Sequence, residues 1–161
     1  SGKAESGKVG KRKVESRVPT FQPSNIPTLP TLPTFQLLRR FPMYNDTTRL
    51  IVWQKSHELV LKIYEITKGF PKDEMFGLTS QIRRAAVSVP SNIVEGKARG
   101  SNKEYKRFLL MGRGSLEEVK YQLLLARDLK YIDDNTYKVV LRMAEDVGRL
   151  LNGLMVSLVK K

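Results

Sequence analysis

Eight basic side chains between residues 83 and 113 have the chemistry and spacing needed to bind a phosphate backbone. They are Arg83, Arg84, Lys97, Arg99, Lys103, Lys106, Arg107 and Arg113. Within residues 95–107, five cations are accompanied by only two carboxylates, Glu95 and Glu104. Such cations contact phosphates and do not read base edges, so the set favours recognition of a nucleic-acid backbone or shape. For each single residue, a solvated surface charge is the alternative interpretation.

A second pattern places polar side chains at helical spacing beside an apolar stripe. Gln81, Ser88, Asn92 and Glu95 are separated by seven, four and three residues, which puts them on one helix face. If buried, Asn92 and Glu95 would need hydrogen-bonding partners. We therefore predict that the four residues lie at an oligomer interface or form a buried polar seam. In an oligomer, Glu95 could also pair with an arginine of this helix from a neighbouring subunit.

Residues typical of enzyme active sites are scarce. The chain has one histidine and no cysteine, which excludes thiolate chemistry, disulfides and cysteine–zinc sites within it. His57 is followed by Glu58, but a zinc-protease helix requires a second histidine where Leu61 stands. Glu117 and Glu118 are neighbours on a predicted helix and point about 100° apart, so they cannot share one substrate. We predict a protein that is not an enzyme and has no metal or cofactor.

Four amphipathic segments are expected to position these side chains. Apolar residues at the spacing of a buried helix face predict helices at about 52–68, 73–95, 103–129 and 135–159. No stretch after residue 50 has the alternation of a strand. Joined by short connections, such helices predict an all-α fold, an antiparallel up-and-down four-helix bundle over residues 48–161. Pro90 lies inside the second helix, where the apolar stripe continues in register, so we expect a kink and not a break.

Capping residues and glycines refine these boundaries. Capping side chains are expected before the first helix at Asp46, Thr47 and Thr48, before the third at Ser101 or Asn102, and before the fourth at Asp133 or Asp134. The second helix should begin near Asp73 and close at Gly96. Gly112 and Gly114, inside the third helix, are expected to permit close approach of a neighbouring helix.

The charge balance points to an acidic partner. The 161 residues include 29 basic and 16 acidic residues, for a formal net charge of +13. Both parts of the chain contribute, because residues 1–47 hold 8 basic and 3 acidic residues. Nucleic acid is the usual partner of such a protein, and an anionic membrane surface is a less common one. The simplest alternative is that the basic surface is only solvated and keeps the protein soluble. With no apolar run near the roughly 18 residues that span a bilayer and no secretory signal, we expect a cytoplasmic protein.

Residues 1–47 differ in composition from the rest. They contain six of the eight prolines and a repeated Pro-Thr-Leu sequence. Closely spaced prolines remove amide donors and prevent helix formation. We predict a basic, Pro-rich, disordered extension, which is either an unstructured part of the protein or a segment added by cloning. A basic arm for nucleic acid and a linear docking motif are the functional alternatives.

Five groups of residues, in order along residues 50–132, form a recognisable set. They are Val52-Trp53-Gln54-Lys55; Ile63-Tyr64 with Thr67 and Phe70-Pro71; Phe76-Gly77-Leu78-Thr79 with Gln81-Ile82-Arg83-Arg84-Ala85; Ser91-Asn92-Ile93 with Glu95-Gly96; and Gly114-Ser115-Leu116-Glu117-Glu118. In these motifs the chain closely resembles the four-helix bundle proteins encoded in intervening sequences of bacterial 23S ribosomal RNA genes. The Pro-rich extension at 1–47 lies outside the family pattern, which leaves open whether the natural protein starts near Met43.

The resemblance implies a bundle that assembles into a ring, expected to be a pentamer, with a basic nucleic-acid-binding role. A structurally similar family acts as the accessory protein of reverse transcriptases in diversity-generating retroelements and binds both nucleic acid and the enzyme. Two functions therefore stay open. The first is a non-catalytic, oligomeric bundle that binds nucleic acid, RNA in preference to DNA. The second is a protein-interaction adaptor, such as a reverse-transcriptase accessory subunit.

Overall fold

The computed structural model describes residues 46–159. Four α-helices make up most of this part: α1 (Ile51–Ile66), α2 (Leu78–Ala98), α3 (Asn102–Asp128) and α4 (Asp134–Val159). Short 3-10 turns cover Asp46–Arg49, Thr67–Gly69 and Lys72–Met75, and residues 46–159 contain no strand. The predicted all-α fold of four helices is confirmed. The disorder predicted for residues 1–47 concerns positions that, except for the last two, lie outside the described residues.

The four helices pack around a single main core. α1 contacts α2 and α4, and α3 contacts the same two helices, so each helix has two neighbours. The contacts between α2 and α3 run in opposite order along the two helices. Gly96, near the end of α2, packs against Tyr105 near the start of α3, whereas Ser88 bonds Ser115 further along α3.

Each helix contributes fully buried aliphatic side chains to the main core. The largest are Leu59 and Ile63 from α1, Ile82, Val89 and Ile93 from α2, Leu109, Leu116, Val119 and Leu123 from α3, and Val140, Val147 and Leu151 from α4. Each such side chain contributes roughly 1.5–3 kcal/mol by leaving water. A second, smaller cluster of Phe70, Leu78 and Ala126 lies where the α1–α2 connection meets the end of α3.

The start of α2 differs from the prediction. The helix begins at Leu78 and not near Asp73, because residues 72–75 form a separate 3-10 turn. Glu74 Oε2 accepts a hydrogen bond from the Leu78 backbone N–H at 2.8 Å. Glu74 therefore satisfies one of the free amide groups at the helix start from outside the helix, and does not lie within its first turn.

The end of α2 also differs from the prediction. Gly96 was expected to close the helix, but α2 continues to Ala98, and Gly96 is buried inside it. A Cβ at Gly96 would lie 2.6 Å from Phe108 Cβ and 2.9 Å from Tyr105 Cδ2. The missing side chain thus permits close helix contact. Pro90 is buried within α2, which continues through it.

Two of the predicted caps are confirmed. Ser101 Oγ accepts from the Glu104 N–H at the start of α3, and Asp133 Oδ1 accepts from the Thr136 N–H at the start of α4. The predicted cap of α1 is wrong: Leu50 occupies the N-cap without a side-chain hydrogen bond, and the three expected capping residues lie in the preceding 3-10 turn.

The close approach predicted at two glycines of α3 is found at one of them. A Cβ at Gly112 would lie 3.4 Å from the Val89 carbonyl oxygen of α2, so the helices are close there. Gly114 has no such neighbour within 4 Å and is exposed, so its prediction is wrong. The two positions are two residues apart and face different sides of the helix.

Candidate nucleic-acid interface

Five of the eight predicted phosphate-binding cations lie together where α2 passes into α3. We call residues 95–107 the cationic end. Lys97, Arg99, Lys103, Lys106 and Arg107 are all exposed there. The connection between the helices is short because Gly100 adopts a φ of +74°, a conformation that glycine reaches without strain. The sharp turn brings cations from the end of α2 and the start of α3 to the same end of the bundle.

Aromatic side chains of α3 support two of these cations. The Lys97 ammonium lies 5.7 Å from the Tyr105 ring centroid, and the Arg99 guanidinium carbon lies 5.1 Å from that of Phe108. Such contacts stabilise a cation over the ring face while leaving its outer side to solvent. Burial raises the pKa of the Tyr105 phenol, whose hydroxyl oxygen is enclosed without a hydrogen-bond partner among the described residues.

Carboxylates compensate the cationic end only in part. Glu95 pairs with Arg99, and Glu104 lies 3.7 Å from Arg107. Lys97, Lys103 and Lys106 have no carboxylate within 4.0 Å in the described part of the chain. Exposed ion pairs contribute little stability, so the two paired arginines can exchange their carboxylates for phosphates at small cost.

The opposite end of the bundle has a different charge balance. We call residues 66–77 and 127–134 the opposite end, since Tyr131 of the second segment donates to Glu74 of the first at 3.2 Å. This end contains four basic and five acidic residues, against five and two at the cationic end. Burial, together with the Glu74 contact, raises the pKa of Tyr131, and the Thr136 N–H lowers the pKa of the Asp133 carboxyl.

The other three predicted cations lie away from the cationic end. Arg113 is exposed on α3 and its Nη1 donates to Asn152 Oδ1 of α4 at 3.3 Å. Arg83 and Arg84 lie near the start of α2, where they line a groove of about 820 Å³. The structure therefore divides the predicted set into one group of five, one bridging arginine and one arginine pair.

The predicted polar stripe on α2 is also divided. Asn92 is buried, and its Nδ2 donates to the Ser88 carbonyl at 2.8 Å and to Ser88 Oγ at 3.0 Å. Ser115 Oγ bonds Ser88 Oγ at 2.9 Å, which extends the network to α3. Gln81 and Glu95 are exposed. Ser88 and Asn92 thus form a polar seam within one protomer.

Sequence reasoning missed the residues that hold Arg83. Its Nε donates to Thr67 Oγ1 at 2.7 Å, and its guanidinium carbon lies 4.8 Å from the Tyr64 ring centroid. Both partners belong to the end of α1 and the turn after it, more than a dozen residues earlier. No local spacing connects them with Arg83, so only the packing of α1 on α2 could identify the contact.

The single histidine of the chain lies against an aromatic ring. The rings of His57 and Trp53 stack with centroids 5.2 Å apart and planes 6° from parallel. Within residues 46–159, no group of three or more His, Asp or Glu side chains is arranged to hold a metal ion. Across the same residues, no helix combines the length and the apolar character required to cross a membrane.

Comparison with known proteins places the fold in a family. The family model of the 23S rRNA-intervening sequence protein matches residues 48–153. The crystal structure of a protein of unknown function from the S23 ribosomal protein family of Bacteroides thetaiotaomicron matches with a TM-score of 0.61 and 24% identity, over 65% of this chain and 98% of that one. Among curated proteins, none matches significantly. Since the family model covers most of the chain, including α1, α2 and α3 in full, the chain belongs to the 23S rRNA-intervening sequence protein family.

Proposed function

We propose that this protein is a non-catalytic, homo-oligomeric bundle that binds nucleic acid, RNA in preference to DNA, through its cationic end. The observation that carries the proposal is the gathering of Lys97, Arg99, Lys103, Lys106 and Arg107, all exposed, beside only two carboxylates. Family membership supports the choice of RNA, because the family is named for sequences within a ribosomal RNA gene.

The cationic end suits a phosphate backbone better than it suits base edges. Its lysines are solvated point charges, which bind phosphates without fixed geometry. Each phosphate that such a cation neutralises releases condensed counterions, which supplies affinity that depends on salt and not on sequence. The two aromatic rings beneath Lys97 and Arg99 are covered by those cations. The end therefore favours recognition of shape and charge over stacking of unpaired bases.

Assembly into a ring would multiply this surface. The resemblance to the intervening-sequence family suggests a pentamer, in which five copies of the cationic end would contribute to one binding surface. The adjacent apolar side chains of Leu110 and Met111 on α3, at 42% and 50% exposure, support an association of copies. Light scattering on the full chain measures the mass directly, and a monomer at micromolar concentration would contradict the oligomeric part.

The RNA-binding part is tested by fluorescence anisotropy of a labelled RNA hairpin over a range of salt concentrations. If all five cations meet phosphates, the logarithm of affinity should fall with the logarithm of salt with a slope of about −4. Affinity would then drop roughly 250-fold between 50 and 200 mM salt. A DNA duplex of the same sequence serves as the comparison. Undetectable RNA binding at low salt would remove the proposal, and tighter binding of the DNA would remove the preference for RNA.

A second candidate function is a protein-interaction adaptor, such as an accessory subunit of a reverse transcriptase. The observation that favours it is the apolar pair Met75 and Phe76, which are 57% and 90% exposed in the α1–α2 connection. Adjacent exposed apolar side chains of this size are typical of protein-docking sites. A reverse-transcriptase gene beside this one would favour the adaptor, and a location inside a ribosomal RNA gene would favour the first proposal.

The proposal also places the protein in the cytoplasm, where structured RNA is present. Fractionation of cells that express a tagged full chain tests this placement. Recovery with ribosomal RNA in the cytoplasmic fraction is expected, and recovery with the membrane fraction would contradict it.

A further inference from the structure

The groove beside Arg83 and Arg84 has the features of a built anion site. It has a volume of about 820 Å³, within the roughly 300–1,000 Å³ typical of ligand pockets. Its walls come from α2, from Tyr64 of α1, from Met75 of the preceding 3-10 turn, and from Ser115 and Glu118 of α3. It lies toward the opposite end of the bundle, apart from the surface to which the proposed function assigns RNA binding.

Arg83 is fixed in place, unlike the lysines of the cationic end. It is half-buried, its Nε donates to Thr67 Oγ1, and its guanidinium lies over the Tyr64 ring. Thr67 is itself only 3% exposed, and its hydroxyl donates to the Ile63 carbonyl at 2.8 Å. Because that donation directs the hydroxyl proton away from Arg83, the oxygen lone pairs are left to accept from Nε. Thr67 thus holds one edge of the guanidinium and the Tyr64 ring holds one of its faces.

The remaining donors of Arg83 have no acceptor among the described residues. A guanidinium carries five N–H groups, and the Thr67 contact uses one of them. Neither Arg83 nor Arg84 has a carboxylate within 4.0 Å among residues 46–159. Among the described residues that line the groove, the acidic one is Glu118 on α3, which accepts from Gln122 Nε2 at 3.0 Å. One wall of the groove is therefore cationic and has free donors.

We propose that this groove binds a phosphate group of a nucleotide, with the Nη edge of Arg83 as a fixed fork and Arg84 as a second cation. Planar, bidentate recognition of phosphate is the geometry for which arginine is suited and lysine is not. Thr67 acts as a positioning residue, since it touches Arg83 and is not part of the groove lining, whereas Tyr64 both supports Arg83 and lines the groove. Only the identification of the ligand as a nucleotide rests on the proposed function.

The test is a titration of the 15N-arginine-labelled full chain with inorganic phosphate at constant ionic strength, followed by NMR of the arginine Nε–H signals. The Arg83 signal is expected to shift and saturate, because its guanidinium meets the anion. Arg142 is exposed on α4 without a carboxylate partner within 4.0 Å in the described residues, so its signal is the internal control. Arg83 and Arg142 signals that shift alike without saturating would overturn the site.

Two variants separate a built site from simple charge. Arg83→Lys keeps the charge but removes the fork, and Thr67→Val keeps all charges but removes the acceptor for Nε. Both are expected to weaken phosphate binding, Arg83→Lys by about tenfold or more, whereas Arg142→Gln should leave it unchanged. Wild-type phosphate affinity in Arg83→Lys would overturn the proposal. Circular dichroism checks folding, and Tyr64→Leu replaces Thr67→Val if that variant does not fold.

Free nucleotide and RNA chain share this phosphate chemistry, and two further titrations distinguish them. 5′-AMP and a single-stranded RNA decamer are each added to the labelled protein. At least one should saturate the Arg83 signal at lower concentration than inorganic phosphate does, and the tighter one identifies the source. If neither binds more tightly than phosphate, the nucleotide assignment is wrong. If the RNA hairpin does not bind at low salt while inorganic phosphate still binds at Arg83, the proposed function is refuted and the proposed phosphate site in the groove is not.

Discussion

The two ends of this bundle are built from the same helices but hold their charged side chains in different ways. At the cationic end, basic residues that are close in sequence surround a short helix turn, and three of its five cations have no carboxylate within 4.0 Å in the described chain. At the opposite end, acidic groups stabilise the fold: the Glu74 carboxylate accepts hydrogen bonds from the Leu78 N–H and the Tyr131 hydroxyl. Lys68, Lys72 and Lys130 of the opposite end also have no carboxylate within 4.0 Å among the described residues, but five acidic residues accompany the four basic ones there. The comparison indicates that the local charge balance, five basic against two acidic residues, marks the candidate binding surface.

The largest effect is expected from disturbing the helix contact that assembles the cationic end. Gly96→Ala would place a Cβ 2.6 Å from Phe108 Cβ, so α2 and α3 must move apart. Overpacking of this kind costs about 1–3 kcal/mol, more than the gain of up to about 1 kcal/mol in helix propensity. We expect a net loss in the free energy of unfolding, measured by urea denaturation, together with weaker RNA binding.

Gly114→Ala is the matched control for this change. Gly114 is exposed within α3, and a Cβ there would meet nothing within 4 Å. The same substitution should therefore stabilise the protein by up to about 1 kcal/mol. A stabilising effect at both glycines would show that the α2–α3 contact at the cationic end is not tight.

A smaller effect is expected from the pH dependence of stability, which differs between the helix caps at the two ends. Asp133 caps α4 at the opposite end with a pKa lowered by the Thr136 N–H, whereas Ser101 caps α3 at the cationic end without titrating. The Asp133 contribution is complete above the unfolded-state pKa of about 3.9 and is lost as pH falls through the lower folded-state value. Urea denaturation between about pH 5 and pH 3 should therefore show less acid sensitivity in Asp133→Ser than in the natural sequence.

The reciprocal change sharpens this comparison. Ser101→Asp introduces a titrating cap at the cationic end, so its unfolding should become more sensitive to acid than that of the natural sequence. The added carboxylate should also weaken RNA binding, because it places an anion among the cations. Equal acid sensitivity in all three proteins would mean that neither cap senses pH.

The fold was predictable from local patterns, but several boundaries were not. Apolar spacing of three and four residues identified all four helices, because a buried face leaves that period in the sequence. The start of α2 was misplaced because Asp73 and Glu74 are residue types favoured in the first turn of a helix. In the structure they lie in the preceding 3-10 turn, from which Glu74 accepts a hydrogen bond from the Leu78 N–H. The role of Gly96 depends on Phe108, which follows it after a turn and belongs to another helix.

The part of the candidate site whose residues are close together in the sequence could also be predicted. Cations around one turn, such as Lys103 and Lys106, are close in sequence and therefore close in space. Arg83 belonged to the same predicted set, but its contact with Thr67 spans 16 residues and depends on how α1 packs on α2. Spacing within one helix therefore reveals which side chains share a face. Only tertiary packing reveals which of them are fixed by contacts with another part of the chain.

The most direct test removes three positive charges from each end in turn and measures RNA affinity. One variant carries Lys103→Gln, Lys106→Gln and Arg107→Gln, and its matched control carries Lys68→Gln, Lys72→Gln and Lys130→Gln, all at exposed positions. We predict that the first loses at least about tenfold in hairpin affinity at low salt and has a salt slope reduced by about 2, while the second stays close to the natural protein. An equal loss in both variants would contradict the account, because binding would then follow net charge and not the cationic end.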